Sequence, residues 1–204
     1  LCSNLGIFKS QSFHRPVILI GNLTTGGTGK TPHVECLVRM LQSEKIPCAT
    51  LSRGYGRKSH GFQWVQPTDE YLKTGDEPLQ IKQKFPEVPV AVDGNRILGL
   101  TRIWQEHPTV KVVIMDDGFQ HRKVKPSLSI LLKDFEELDK TNYLLPAGTL
   151  REPLSSASRA DIIIVTKTPA FFTPLEKRLL KDRMKCYASQ QVFFTTMQNG
   201  ELLS

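Results

Sequence analysis

An α/β fold, with a mostly parallel sheet covered by helices on both faces, is predicted by three observations on this 204-residue chain. Short apolar runs of strand length alternate with amphipathic stretches of helical spacing. The runs lack the in–out alternation of a half-solvated strand, so both faces of the sheet must be covered. Polar clusters recur where those runs end, which is where open α/β sheets bind ligands.

The elements follow in order. Pro16–Ile20 is a buried-strand run, and Val34, Leu37, Val38 and Leu41 after it mark one face of a helix. Cys48–Leu51 is a second strand, and Phe62–Val65 a short one within a glycine-rich polar stretch. A helix is expected from Asp76 to Lys84, stopped by Pro86, then a strand at Val88–Val92 and a helix at Arg96–Gln105. The runs "VKVVIMDD" (110–117), "LSILLKDF" (128–135) and "ADIIIVTK" (160–167) read as strands. A basic helix at Pro174–Lys185 and a strand at Gln191–Thr196 complete the pattern. Residues 1–190 are read as one nucleotide-binding lobe, and 191–204 as the start of a linker or second lobe that looks truncated.

Composition bounds the function. Hydrophobic residues make up 39% and charged ones 23%, which suits a packed core rather than disorder. The formal net charge of +7 suits an acidic partner and equally a basic but ordinary soluble surface. Nucleic acid is not expected, since no stripe interleaves aromatic with basic residues. No apolar run is long enough to span a membrane. Cys2, Cys36, Cys48 and Cys186 lack metal-ligand spacing, so reduced, buried thiols of a cytosolic protein are expected.

The most informative stretch joins the first strand to the first helix. "TTGGTGKT" comprises Thr24, Thr25, Gly26, Gly27, Thr28, Gly29, Lys30 and Thr31. Glycines let backbone N–H groups close on phosphate oxygens, and the helix N-terminus adds positive potential. Lys30 reaches the outer phosphates and the Thr31 hydroxyl can ligate Mg²⁺. The common GxxxxGK[ST] pattern wants glycine where Thr24 stands, so the stretch reads as a variant P-loop of an NTPase-like fold that binds a nucleotide, with a plain glycine-rich turn as the alternative. Partition-type ATPases with a related loop carry a signature lysine where this chain has Thr25. A nucleotide-gated binding switch of that type is the alternative reading.

Asp116 and Asp117 end an apolar strand, as a metal-side acid of a phosphoryl-transfer site does. In "TGDEPLQ", Asp76 reads either as a helix cap beside the dipole-matched Glu77 or as a general base. "LSRGYGRK" places Arg53 and Tyr55 after a strand, either to grip a phosphate and a sugar or as a solvated basic loop. Gln120 and His121 follow the aspartates, and "LPAGTLREP" carries Arg151 and Glu152, which could equally be an exposed pair on a plain connection.

Together, "VILIGNLTTGGTGKTP", "LSRGYGRK", "GDEP", "DGNR", "MDDGFQHR", "LPAGTLREP" and "ADIIIVTK" resemble the tetraacyldisaccharide 4'-kinase family of lipid A biosynthesis. The resemblance implies ATP–Mg²⁺-dependent phosphorylation of the 4'-hydroxyl of a lipid A disaccharide 1-phosphate by a protein peripheral to the cytoplasmic face of the bacterial inner membrane, acting as a monomer. It implies catalytic roles for Asp76, Lys30, Arg96 and Arg151. It puts Thr31, Asp116, Asp117 and Glu152 at the metal, and Arg53, Tyr55, Asp76, Gln120 and His121 at the substrate. Family members begin with a hydrophobic membrane-docking helix, where this chain has "LCSNLGIFKSQSF". They also continue into a second lobe whose histidine partners the GDEP aspartate.

Overall fold

The computed structural model describes residues 10–138, 143–184 and 189–197. The expectations for Cys2, Cys186, Lys185 and residues 198–204 lie outside them. The chain divides into two compact units, one built from residues up to Gly21 and Lys30–Ser129, the other from Asn22–Gly29 and the residues from Ile130 onward.

The first unit holds strands β1 (Val17–Asn22, which runs one residue past its boundary), β2 (Cys48–Ser52), β3 (Gln63–Trp64), β4 (Val90–Val92) and β5 (Val112–Met115). Its helices are α1 (Lys30–Ser43), α2 (Tyr71–Thr74), α3 (Asp76–Lys84) and α4 (Arg96–Glu106). β1 pairs in parallel with β5, β5 with β2, and β2 with β4, while β3 adds antiparallel to β4. All residues of β4 and β5 are buried, as the continuous apolar runs require. The strand order also assigns the helices to faces. The connections β1–α1–β2 and β2–α3–β4 move one way across the sheet, and β4–α4–β5 moves back. With right-handed crossovers, α1 and α3 share one face and α4 covers the other. The core gathers Ile20, Leu51, Leu100, Ile103, Ile114 and Met115.

The second unit carries three strands in parallel register, β6 (Leu128–Asp134), β7 (Ile162–Thr166) and β8 (Gln191–Phe194). β6 begins two residues ahead of this unit's boundary. Helix α5 (Pro174–Arg183) opens on a capping box in which Thr173 and Glu176 satisfy each other's backbone N–H.

Several expectations shift. β4 starts at Val90, two residues late, because Val88 N–H turns back to the Phe85 carbonyl. β8 stops at Phe194, and β5 stops at Met115, so both aspartates follow the strand. Cys48 is buried as expected but Cys36 is exposed, because it lies outside the buried stripe of Val34, Glu35 and Val38 on α1.

Candidate functional site

At the C-terminal end of β5 the chain is pinned on both sides. Asp116 N–H donates to the Leu51 carbonyl of β2 at 2.9 Å, and Gly118 N–H to the Ile20 carbonyl of β1 at 3.2 Å. Between them Asp117 adopts φ +48°, a left-handed conformation that costs a non-glycine residue energy and recurs at functional sites. Its N–H donates to Asp116 Oδ1 at 2.8 Å. Its carboxylate lies 3.5 Å from Lys30 Nζ at the start of α1. Lys30, which follows the glycine loop, and the acid after β5 therefore meet.

The Asp116 carboxyl is almost completely buried and held far above the usual carboxylate range, at about 7. Burial is the main cause, followed by the negative charges of Glu77 and Asp117; Lys30 and the Asp117 N–H oppose the shift. Glu77, which the sequence presents as a dipole-matching helix residue, thus belongs to the same electrostatic cluster. So does Arg96, 3% exposed, whose guanidinium is lowered to about 10 by burial. Asp117, Asp116 and Asp93 pull it back up, while Arg53 pushes it down. Arg96 Nη1 donates to the Asp93 carbonyl at 2.5 Å, and its buried Nε has no hydrogen-bond partner among the described residues. His121 is held below its ordinary value by burial and then by the cations Arg96, Lys123 and Arg53.

Asp116 thus feels the negative charges of Glu77 and Asp117, which Lys30 and Arg96 partly offset, and a hard divalent cation would neutralise them further. No group of three or more His, Cys, Asp or Glu among the described residues forms a ready metal cage. That fits Mg²⁺, which keeps several waters and takes one or two carboxylates beside nucleotide phosphates.

Asp76 is exposed in the first turn of α3, and the capping position belongs to Gly75, which offers no side chain. The Asp76 carboxylate accepts from Glu77 N–H at 2.9 Å. Gly75 holds φ +93°, and a Cβ there would lie 3.1 Å from Gly54 Cα and the Tyr55 carbonyl oxygen. The LSRGYG loop and the start of α3 therefore interlock through bare backbone. Beside them opens a cavity of about 600 Å³ lined by Arg53, Tyr55, Arg57, His60, Asp93 and Asn95. Tyr55 is 87% exposed at its rim.

In the second unit the glycine loop is tied to the segment bearing Arg151 and Glu152. Thr25 N–H donates to the Thr149 carbonyl at 2.8 Å, Arg151 N–H to the Leu23 carbonyl at 2.7 Å, and Thr24 bridges antiparallel to Leu150. Gly26 and Gly29 take φ +126° and +79°. Thr28 is buried and its hydroxyl has no hydrogen-bond partner among the described residues. Glu152 pairs with Arg159, a partner the sequence did not signal. The structure thus groups Lys30, Asp116, Asp117, Arg53, Arg96 and His121 in one unit, with Asp76 opening the helix that carries Glu77. It places Arg151 and Glu152 beside Thr24 and Thr25 in the other. Glu77 and Asp93 are the additions; their signal was position, one following Asp76 and the other following β4.

Residues 2–202 match the family model described as tetraacyldisaccharide-1-P 4'-kinase. A tetraacyldisaccharide 4'-kinase from Phocaeicola vulgatus is 49% identical over 199 residues, 97% of this chain and 54% of that protein. One from Flavobacterium johnsoniae is 47% identical, covering 93% and 56%. The crystal structure of "apo" form LpxK from Aquifex aeolicus in complex with ATP superposes with TM-score 0.76 and 34% identity, over 94% of this chain and 57% of that one. The chain spans about half the length of the curated relatives it matches.

Proposed function

The chain belongs to the tetraacyldisaccharide-1-P 4'-kinase family, and we propose on that premise that it forms the ATP-binding part of an enzyme phosphorylating the 4'-hydroxyl of a tetraacyl disaccharide 1-phosphate. The observation that carries the reading is the Lys30–Asp117 pair, set against buried Asp116. It joins the end of a glycine loop to an acidic strand end, as phosphoryl transfer requires.

A sugar hydroxyl is a poor nucleophile, so catalysis must come from alignment, a proton acceptor and countercharge. Backbone N–H groups of Thr24–Gly29 hold the phosphates and Lys30 neutralises the outer ones. Thr31, Asp116 and Asp117 would hold Mg²⁺, with Glu152 as the further acid that the family motif assigns to it; the ion would offset the negative charge of the phosphates. Asp76 takes the proton as the 4'-oxygen bonds to the γ-phosphorus and ADP leaves. Arg96 and Arg151 supply further positive charge. The cavity beside Tyr55, with Arg53, Gln120 and His121, receives the disaccharide. No helix among the described residues is long and apolar enough to cross a membrane. We place the protein peripherally, as a monomer, on the cytoplasmic face of the inner membrane, where basic side chains each favour an anionic leaflet by roughly 1 kcal/mol.

Full-length protein incubated with γ-labelled ATP and the disaccharide is expected to put label in the lipid, and Asp76→Ala to lose that transfer while still binding nucleotide. Hydrolysis that ignores the acceptor and responds to DNA or a protein partner would instead identify a nucleotide-gated switch.

A further inference from the structure

Helix α1 has three buried residues, and one of them is a carboxylate. Glu35 is 5% exposed, between Val34 and Val38. Its partners come from two helices. Gln80 Nε2 of α3 donates to Glu35 Oε1 at 3.2 Å, and Lys84 Nζ of α3 donates to Oε2. Arg39 Nη2, one turn along α1, stands 3.8 Å from the same oxygen, and its guanidinium lies 5.6 Å from the ring centre of Phe85 at the end of α3. Both lone-pair edges of the carboxylate are therefore used, and a cation–π contact extends the strap.

The position gives the contact its meaning. α1 opens with Lys30 and Thr31, and α3 opens with Asp76. Glu35 lies five residues into α1, about 7.5 Å along its axis, and Gln80 four residues into α3, about 6 Å. A leucine of similar volume would hold the helices together as well or better, because Lys84 and Arg39 reach solvent and such an ion pair offers little net stability over an apolar contact. What the polar contact adds is register: two directional bonds fix how far α3 slides along α1, which apolar packing leaves looser.

We propose that Glu35 is a positioning residue that sets the distance between the phosphate-gripping end of α1 and the proton-accepting end of α3. This rests on the kinase reading above. Misplacing a reacting group by about 1 Å costs on the order of 100-fold in rate, so a modest slip of α3 would be felt in transfer and not in nucleotide affinity.

The test uses full-length protein, with Glu35→Leu and, approached from the half-exposed partner, Lys84→Met. For each, a non-hydrolysable ATP analogue is titrated directly, single-turnover transfer to the disaccharide is timed, and thermal unfolding is followed. Amide exchange across residues 80–84 is measured with and without the analogue. The strap predicts unchanged analogue affinity and an unfolding temperature for Glu35→Leu no lower than wild type. It also predicts a transfer rate down by about tenfold or more. In wild type the analogue slows exchange in α3, and in both variants that response is lost. Transfer that falls only in step with unfolding temperature, or exchange that responds to the analogue equally in all three proteins, overturns the proposal. Wild type that shows the exchange response but passes no phosphate to the disaccharide refutes the substrate assignment and supports the strap.

Discussion

At the residue scale, the site is a set of charges held away from their solution behaviour by burial. His121 shows how this can be read out. Burial and three neighbouring cations depress its folded-state value, so the folded chain favours the neutral ring. The sign follows: its contribution to stability is complete above the unfolded value of ~6.5 and is lost as pH falls from there through the depressed folded value. His121→Gln should therefore lose less stability than wild type between about pH 7 and about pH 5, measured by denaturant midpoints at each pH. Equal slopes would mean that the ring gives up its proton as easily folded as unfolded. The two aspartates were legible in the sequence because they end an apolar run. Glu35 was not, because a glutamate at helical spacing reads as part of the solvated face.

Among the elements, the interlock of Gly54 and Gly75 couples two loops distant in sequence. Ala at position 75 must adopt φ +93° and bring a Cβ within 3.1 Å of Gly54 Cα, and we expect Gly75→Ala to cost about 1–3 kcal/mol. Gly94→Ala is the control, with nothing within 4 Å of its added Cβ, and should be close to neutral in the same unfolding titration. Equal costs would show that the two loops yield to each other. The strands were readable because β4 and β5 are buried on both faces and so written as unbroken apolar runs. The four-residue helix Tyr71–Thr74 and the 3₁₀ turn Leu154–Arg159 were not, being too short to display a period. The tie between Thr25 and Thr149 was equally hidden: it is made by backbone and side-chain oxygen across 124 residues, and no spacing rule reports it.

For the molecule as a whole, family membership and fold agree with the glycine loop and acidic strand end read from the sequence, and the chain spans about half the length of the curated relatives it matches. The net charge of +7 suits both an anionic nucleotide and an anionic leaflet, so charge alone discriminates little. The discriminating feature is buried Asp116 beside the Asp117–Lys30 pair, an acidic strand end that a cation arriving with the phosphates would complete. Calorimetric titration of ATP into the full-length protein, with and without Mg²⁺, tests this most directly in wild type and in Asp116→Asn. The account predicts that Mg²⁺ tightens binding to wild type by tenfold or more, about 1.4 kcal/mol, and that Asp116→Asn binds ATP with little regard to Mg²⁺. An Asp116→Asn protein whose affinity rises with Mg²⁺ as steeply as wild type would contradict it.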